Sequence, residues 1–193
     1  MSALTSKSHI RYFAFSVLLF VLSGCSSSTD VEAKYHSHFD FAKVKSYSTF
    51  ERDSFFTDFQ NISDSTRNGI EIAIENAMDE SGFIYSQYDN ADVVVGYYIV
   101  SQNAANLSKY NKGVFFCEYC LNGNLDQQDK KWKLVPGSLI IDLINPETKR
   151  SVWRSFYPLK ITIKDNSHET HSKIEAAVFE MLSKYPRNNK DPT

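Results

Sequence analysis

No aspartate or glutamate precedes Asp30 in this chain of 193 residues, whereas Lys7 and Arg11 lie ahead of it. Extended apolar runs are scarce as well, and the one near the N-terminus spans residues 12–22 (YFAFSVLLFVL). As a helix it would rise about 16 Å, roughly half of the 30 Å hydrocarbon core, which excludes a permanent transmembrane helix there. Glycine is rare, at seven residues, and none are clustered. The chain therefore has neither a glycine-rich phosphate loop nor a GxSxG nucleophile elbow. It also lacks a basic tract, and the formal net charge is −2. That speaks against a nucleic-acid partner, whose phosphates demand clustered Lys and Arg. No motif calls for a cofactor, and none is expected.

What the N-terminus does contain is an ordered set of signals. Positive charge, a short apolar run and small residues follow one another as in a secretory signal peptide. The run ends in Leu22-Ser23-Gly24-Cys25, which resembles a lipobox, the cleavage signature of lipoprotein signal peptidase substrates. Small residues at 23 and 24 let the extended chain enter a narrow protease site, and the Cys25 thiol is the nucleophile that takes the lipid. Each buried acyl CH₂ contributes about 0.8 kcal/mol, so several chains on Cys25 would hold the protein at a membrane. The next residue is Ser26 rather than Asp. By resemblance to enterobacterial lipoproteins, this implies the outer membrane, with the domain facing the periplasm. The expected organisation is a signal peptide at 1–24, a lipidated cysteine and tether at 25–30, one domain at 31–186 and a polar tail at 187–193.

Within the mature chain, strands are expected at 31–37 and 46–50, with a single helical turn at 40–44 capped by Asp40. Ile70, Ala73, Ile74, Ala77 and Met78 repeat at helical spacing and predict a helix over 64–81, ended by Gly82. Residues 91–100 (ADVVVGYYIV) are apolar on both faces after Asp92, as a doubly covered central strand would be. The sequence then predicts a hairpin of 137–144 and 151–163 around the turn Asn145-Pro146-Glu147-Thr148. On its second strand Trp153, Tyr157, Leu159, Ile161 and Ile163 share a face opposite Arg154, Lys160 and Thr162. Pro158 predicts a kink or an edge there. A last helix over 167–184 carries Ile174, Ala177, Val178, Met181 and Leu182. This order predicts an α+β domain with a mostly antiparallel sheet, two helices packed on one face, and an irregular insertion at 101–136.

Four stretches carry a family resemblance: Asp40–Tyr47 (DFAKVKSY), Asn90–Val95 (NADVVV), Gly137–Leu143 (GSLIIDL) continuing through Trp153-Arg154, and Ala176–Pro186. On these the mature chain resembles the domain of unknown function 4136 family of bacterial lipoproteins. The resemblance implies a lipid-anchored, single-domain envelope protein with an α+β fold. It implies no reaction and carries over no catalytic residue. Residues 101–136 depart from the pattern by their length, and they hold both remaining cysteines.

Those cysteines form the one constellation with chemical potential, Cys117-Glu118-Tyr119-Cys120. On a strand, Cα atoms three residues apart lie about 10 Å from each other, while a disulfide needs them within about 7 Å. Either the chain turns and the pair oxidises, which suits an oxidising envelope, or the thiols stay apart. A metal site, a redox-active pair and free thiols remain alternatives. Asn122-Gly123 follows where a thioredoxin-like site would start a helix, which disfavours redox catalysis. His168-Glu169-Thr170-His171 is one residue short of HExxH. These histidines read more simply as first-turn residues of a helix, one of them partly packed. Weak metal candidates are thus Cys117, Cys120, His168 and His171, and no metal is expected. His36 and His38 read as exposed polar positions. Asp142 and Arg154 are expected to pair across the hairpin as a surface salt bridge worth under about 1 kcal/mol. The function expected is that of a non-enzymatic envelope protein that binds a protein or other envelope component. The alternatives are a metal or redox accessory protein centred on Cys117 and Cys120, and a small-ligand binder using a cleft between sheet and helices.

Overall fold

Apolar alternation and two helical stripes build a layered α+β domain around one six-stranded sheet. The computed structural model describes residues 31–50, 60, 62–117, 120, 134–162 and 164–187. The expected signal peptide, Cys25 and the expected tether lie outside the described residues, as do Glu118-Tyr119, Asn122-Gly123, Ile163 and residues 188–193.

The strands are β1 (Glu32–Tyr35), β2 (Ser46–Thr49), β3 (Ile84–Tyr85), β4 (Val93–Ile99), β5 (Ser138–Asn145) and β6 (Arg150–Pro158). They lie in the order β1-β6-β5-β4-β2-β3. The ladders β1·β6, β6·β5 and β5·β4 are antiparallel, while β2 runs parallel to both β4 and β3. The sheet is therefore mixed. The helix between β2 and β3 returns the chain to the starting end of β2, and the segment around the 3-10 turn Tyr88–Asn90 does so again before β4.

Helix α1 (Asp64–Glu80) starts on Ser63, whose Oγ accepts from the Thr66 N–H at 3.2 Å, satisfying one of the free donors of the first turn. It ends before Gly82, at φ 81°, a left-handed conformation that glycine adopts without a Cβ clash. Helix α3 (Ser167–Leu182) opens with a capping box between Asn166 and Glu169. The apolar stripes of both helices are buried as their spacing predicts. They pack on one face of the sheet against Phe41, Tyr47, Leu139, Leu143 and Trp153.

The other face is covered too. The segment expected to be irregular contains helix α2 (Ala104–Gly113), capped by Asn103, whose Oδ1 accepts from Ala105 N–H at 3.0 Å. It escapes a periodicity reading because it buries little of itself: only Tyr110 is fully enclosed. Tyr110 and Val114 join Val94, Tyr98, Ile140, Ile144 and Phe156 in a second, smaller core. The central strands are therefore sandwiched between helices, which explains their unbroken apolar runs.

Three local expectations need adjusting. Asp40 lends no side-chain cap to the 3-10 turn Phe41–Lys43 and instead forms an exposed ion pair with Lys43 at 3.0 Å. Pro158 ends β6 rather than kinking it. It lies beyond the last β1 pair, Glu32↔Phe156, so no β1 acceptor loses a partner there. Beyond it Ile161 is exposed and belongs to no apolar face.

Gly96 lies in the middle of β4, where a Cβ would sit 3.1 Å from Ile144 Cδ1 and 3.2 Å from the Phe50 ring. Gly96→Val is expected to destabilise the domain by about 1–3 kcal/mol through overpacking. Urea denaturation would measure it, and an unchanged midpoint would mean that Phe50 yields without strain.

Candidate functional site

The chemistry of the domain concentrates under α2, on the face of the hairpin that carries Asp142 and Arg154. Asp142 and Arg154 pair directly across β5·β6. A strict two-residue alternation would put Ser151 and Arg154 on opposite faces. The ladder shifts register between Leu143 and Ile144, so that Leu143 faces Trp153 while Ile144 faces Ser151. This bulge leaves Val152 as the extra residue and turns both Ser151 and Arg154 toward the same carboxylate.

The resulting network is closed. Arg154 Nε donates to Asp142 Oδ1 at 2.8 Å and Nη2 to Oδ2 at 2.9 Å, while Nη1 donates to Asn111 Oδ1 at 2.8 Å. Ser151 Oγ donates to Oδ1 at 2.5 Å, and Tyr110 Oη to Oδ2 at 2.7 Å. The Phe116 ring lies 3.5 Å from the guanidinium carbon, and Tyr98 stacks on Tyr110 with ring centroids 4.9 Å apart. The expected surface salt bridge is thus a buried one, with Asp142 at 0% and Arg154 at 1% exposure. Its position on the sheet follows from the alternation, but its burial comes from α2. Burial, and then the Asp142 carboxylate, push the Tyr110 hydroxyl well above its ordinary pKa of 10, so it remains a donor. Arg154 and Asp142 form a bidentate pair away from solvent, and the Ser151 and Tyr110 hydroxyls each donate to the same carboxylate. Such a network fastens α2 to the sheet.

Beyond α2 the chain turns sharply. Phe115 takes φ 43° and is 55% exposed, an unusual conformation for a bulky residue. The Val114 carbonyl accepts from Ser151 N–H at 2.8 Å. Cys117 Sγ and Cys120 Sγ then lie at disulfide-bonding distance, 2.04 Å, with Cα atoms 5.2 Å apart. An open groove of about 680 Å³ runs along the outer side of α2, lined by Leu107, Asn111, Lys112, Phe116, Cys117 and Arg150 among others.

His168 and His171 start α3, on the opposite face of the sheet from the cysteines. The four candidates for a shared zinc site are thus not brought together. Among the described residues no group of three or more His, Cys, Asp or Glu is placed to hold a metal. Both histidines are exposed, and His171 packs over Gly69 of α1. His36 is half-buried rather than exposed. Burial, then His38 and Arg150, lower its pKa below 6.5.

The sequence reading assigned no role to Asp92. Its Oδ2 accepts from Lys45 N–H at 2.9 Å, Ser46 N–H at 2.9 Å and Ser46 Oγ at 2.8 Å. Two of the four stretches that carried the family resemblance are thereby joined, at the start of β2 and β4. Partial burial opposes the charge, but the Lys45 and Ser46 donors outweigh it and hold the carboxyl below its ordinary 3.8. A depressed folded-state pKa contributes stability above the unfolded value and loses it as pH falls through that value toward the folded one. Asp92→Asn is therefore expected to flatten the acid side of the stability curve below about pH 4. Urea midpoints measured from pH 5 downward would check this, and identical acid limbs would show that the cluster holds no depressed carboxylate.

A mixed-sheet α+β domain, with helices on both faces and a buried ion pair under the smaller helix, is the class defined by these observations. The family model described as domain of unknown function DUF4136 matches residues 31–187, and the chain belongs to that family. Among solved structures it is similar to a DUF4136 family protein from Bacteroides thetaiotaomicron VPI-5482, at 15% identity and a TM-score of 0.53, over 83% of this chain and 97% of that one. It is also similar to a PDZ domain protein from Parabacteroides distasonis ATCC 8503 (14% identity, TM-score 0.47, 82% of this chain and 35% of that one). PelC from Paraburkholderia phytofirmans, solved as a dodecamer, gives 9% identity and a TM-score of 0.42 over 79% and 93%. The first likeness speaks for the fold, and the other two carry no argument. No curated protein matches.

Proposed function

We propose that this is a lipid-anchored protein of the bacterial cell envelope, facing the periplasm, whose folded domain is a non-enzymatic interaction module. The observation that carries the reading is the combination of Leu22-Ser23-Gly24-Cys25 with a cysteine pair at bonding distance. The first supplies an export and lipidation signal, and the second suits an oxidising compartment. The closed Asp142–Arg154 network favours binding over turnover, because its groups are spent on each other.

Intact mass of the protein extracted from native membranes under mild conditions tests this. The expected mass is that of the chain from acylated Cys25 onward, two hydrogens short of the reduced form. An unprocessed chain without lipid would overturn the anchoring. A turnover abolished by one substitution in the groove along α2 would overturn the non-enzymatic role.

A further inference from the structure

The described parts of the domain carry charge of opposite sign on their two helical faces. Helix α1 contains Asp64, Glu71, Glu75, Asp79 and Glu80 against one Arg67, while α2 contains Lys109 and Lys112 and no acid. Each face also has an apolar element that the fold leaves uncovered. On α1 this is Ile72, 55% exposed, with the exposed Glu75 one turn on. Opposite, the groove along α2 offers the exposed Phe115, next to Leu107 and Phe116, which pack in part on the second core, with Lys112 and Arg150 exposed beside them. Its walls are fixed from below by the buried ion pair, so the surface is preorganised and a ligand need not order it. An apolar anchor with a carboxylate one turn away suits such a groove. Among the described surfaces, the outer face of α1 provides that chemistry.

We infer that the groove along α2 receives the outer face of α1 from a second copy of this chain, with Ile72 on the apolar floor and Glu75 toward Lys112 and Arg150. This deepens the interaction reading above and rests on it. The two patches lie on opposite sides of the sheet, so the contact is heterologous: each copy offers one patch of either kind, and association continues head to tail. Its charge pairs are exposed, and salt screens them.

Sedimentation velocity of the detergent-solubilised full chain tests the inference through two variants. Lys112→Glu with Arg150→Glu spoils the groove and leaves α1 intact. Ile72→Ser with Glu75→Gln does the reverse, without creating a charge that could pair with the altered groove. All four positions are exposed, and a melting curve for each variant confirms folding. The wild type is expected to self-associate, more weakly at about 1 M salt. Each variant alone should lose at least about tenfold in association, and their equimolar mixture should form a one-to-one dimer that grows no further. A wild type that stays monomeric overturns the inference and leaves the groove to an acidic segment of another protein. So do variants that associate as the wild type does, or a mixture that remains monomeric. Lipidated but monomeric protein would sink this inference alone, and associating protein without lipid would sink only the anchoring.

Discussion

Arg154→Met is expected to destabilise the domain by about 3–5 kcal/mol, the range for breaking a buried ion pair by removing one partner. The loss arises from what stays behind. Asp142 is fully buried and would keep only Ser151 and Tyr110 as donors, leaving a charge uncompensated in a low-dielectric interior. The double variant Asp142→Leu with Arg154→Met removes both charges and is expected to recover most of the loss, since replacing a whole buried pair by apolar residues is often close to neutral. Urea denaturation of the three proteins forms a double-mutant cycle. A single variant within about 1 kcal/mol of wild type would make the pair equivalent to a surface contact. The circular dichroism of the single variant should also show α2 loosened, because Asn111 loses its guanidinium donor and Phe116 its stacking partner.

Trp153→Ala is the second large effect, at about 3–5 kcal/mol, because Trp153 is fully buried among the α1 and α3 stripes and its loss opens a cavity. Trp153→Phe is expected to cost much less. The Trp153 Nε1 is buried with no hydrogen-bond partner, an arrangement that itself costs free energy. Phenylalanine removes that unmet donor while keeping much of the contact. Thermal or urea melts of the two variants measure the difference, and equal losses would mean that the indole N–H carries no penalty.

The large helices and the hairpin were legible in the sequence because one side of each packs on one continuous core. The stripes Ile70–Met78 and Ile174–Leu182 repeat at helical spacing, and those residues are buried. Helix α2 was not legible, since its stripe is short: Leu107, Tyr110 and Val114 stand among Asn, Ser and Lys, and within the helix only Tyr110 is fully buried. That omission propagated. Alternation placed Arg154 opposite Trp153, but only a cover on that face distinguishes a solvated salt bridge from a buried one. The cover was the segment read as irregular. The bulge at Val152 escaped as well, because two-residue periodicity cannot register an extra residue in one strand. The parallel pairing of β2 depends on a crossover that patterning alone does not resolve. The cysteine geometry is legible as a choice, turn or no turn, and the two Cα atoms lie 5.2 Å apart, within the reach of a disulfide.

Among the described residues strand β1 has a single neighbour, β6, and the Ser155 hydroxyl reaches the Glu32 carbonyl across 123 positions of sequence. The first strand to be synthesised thus has nothing to pair with until nearly all of the chain has followed it. Contacts this distant slow folding, because the loop must close before any pairing rewards it. The β6 edge stays bare in the meantime, open to any passing strand. The strand that joins the domain to everything upstream can be fastened only once β6 is in place.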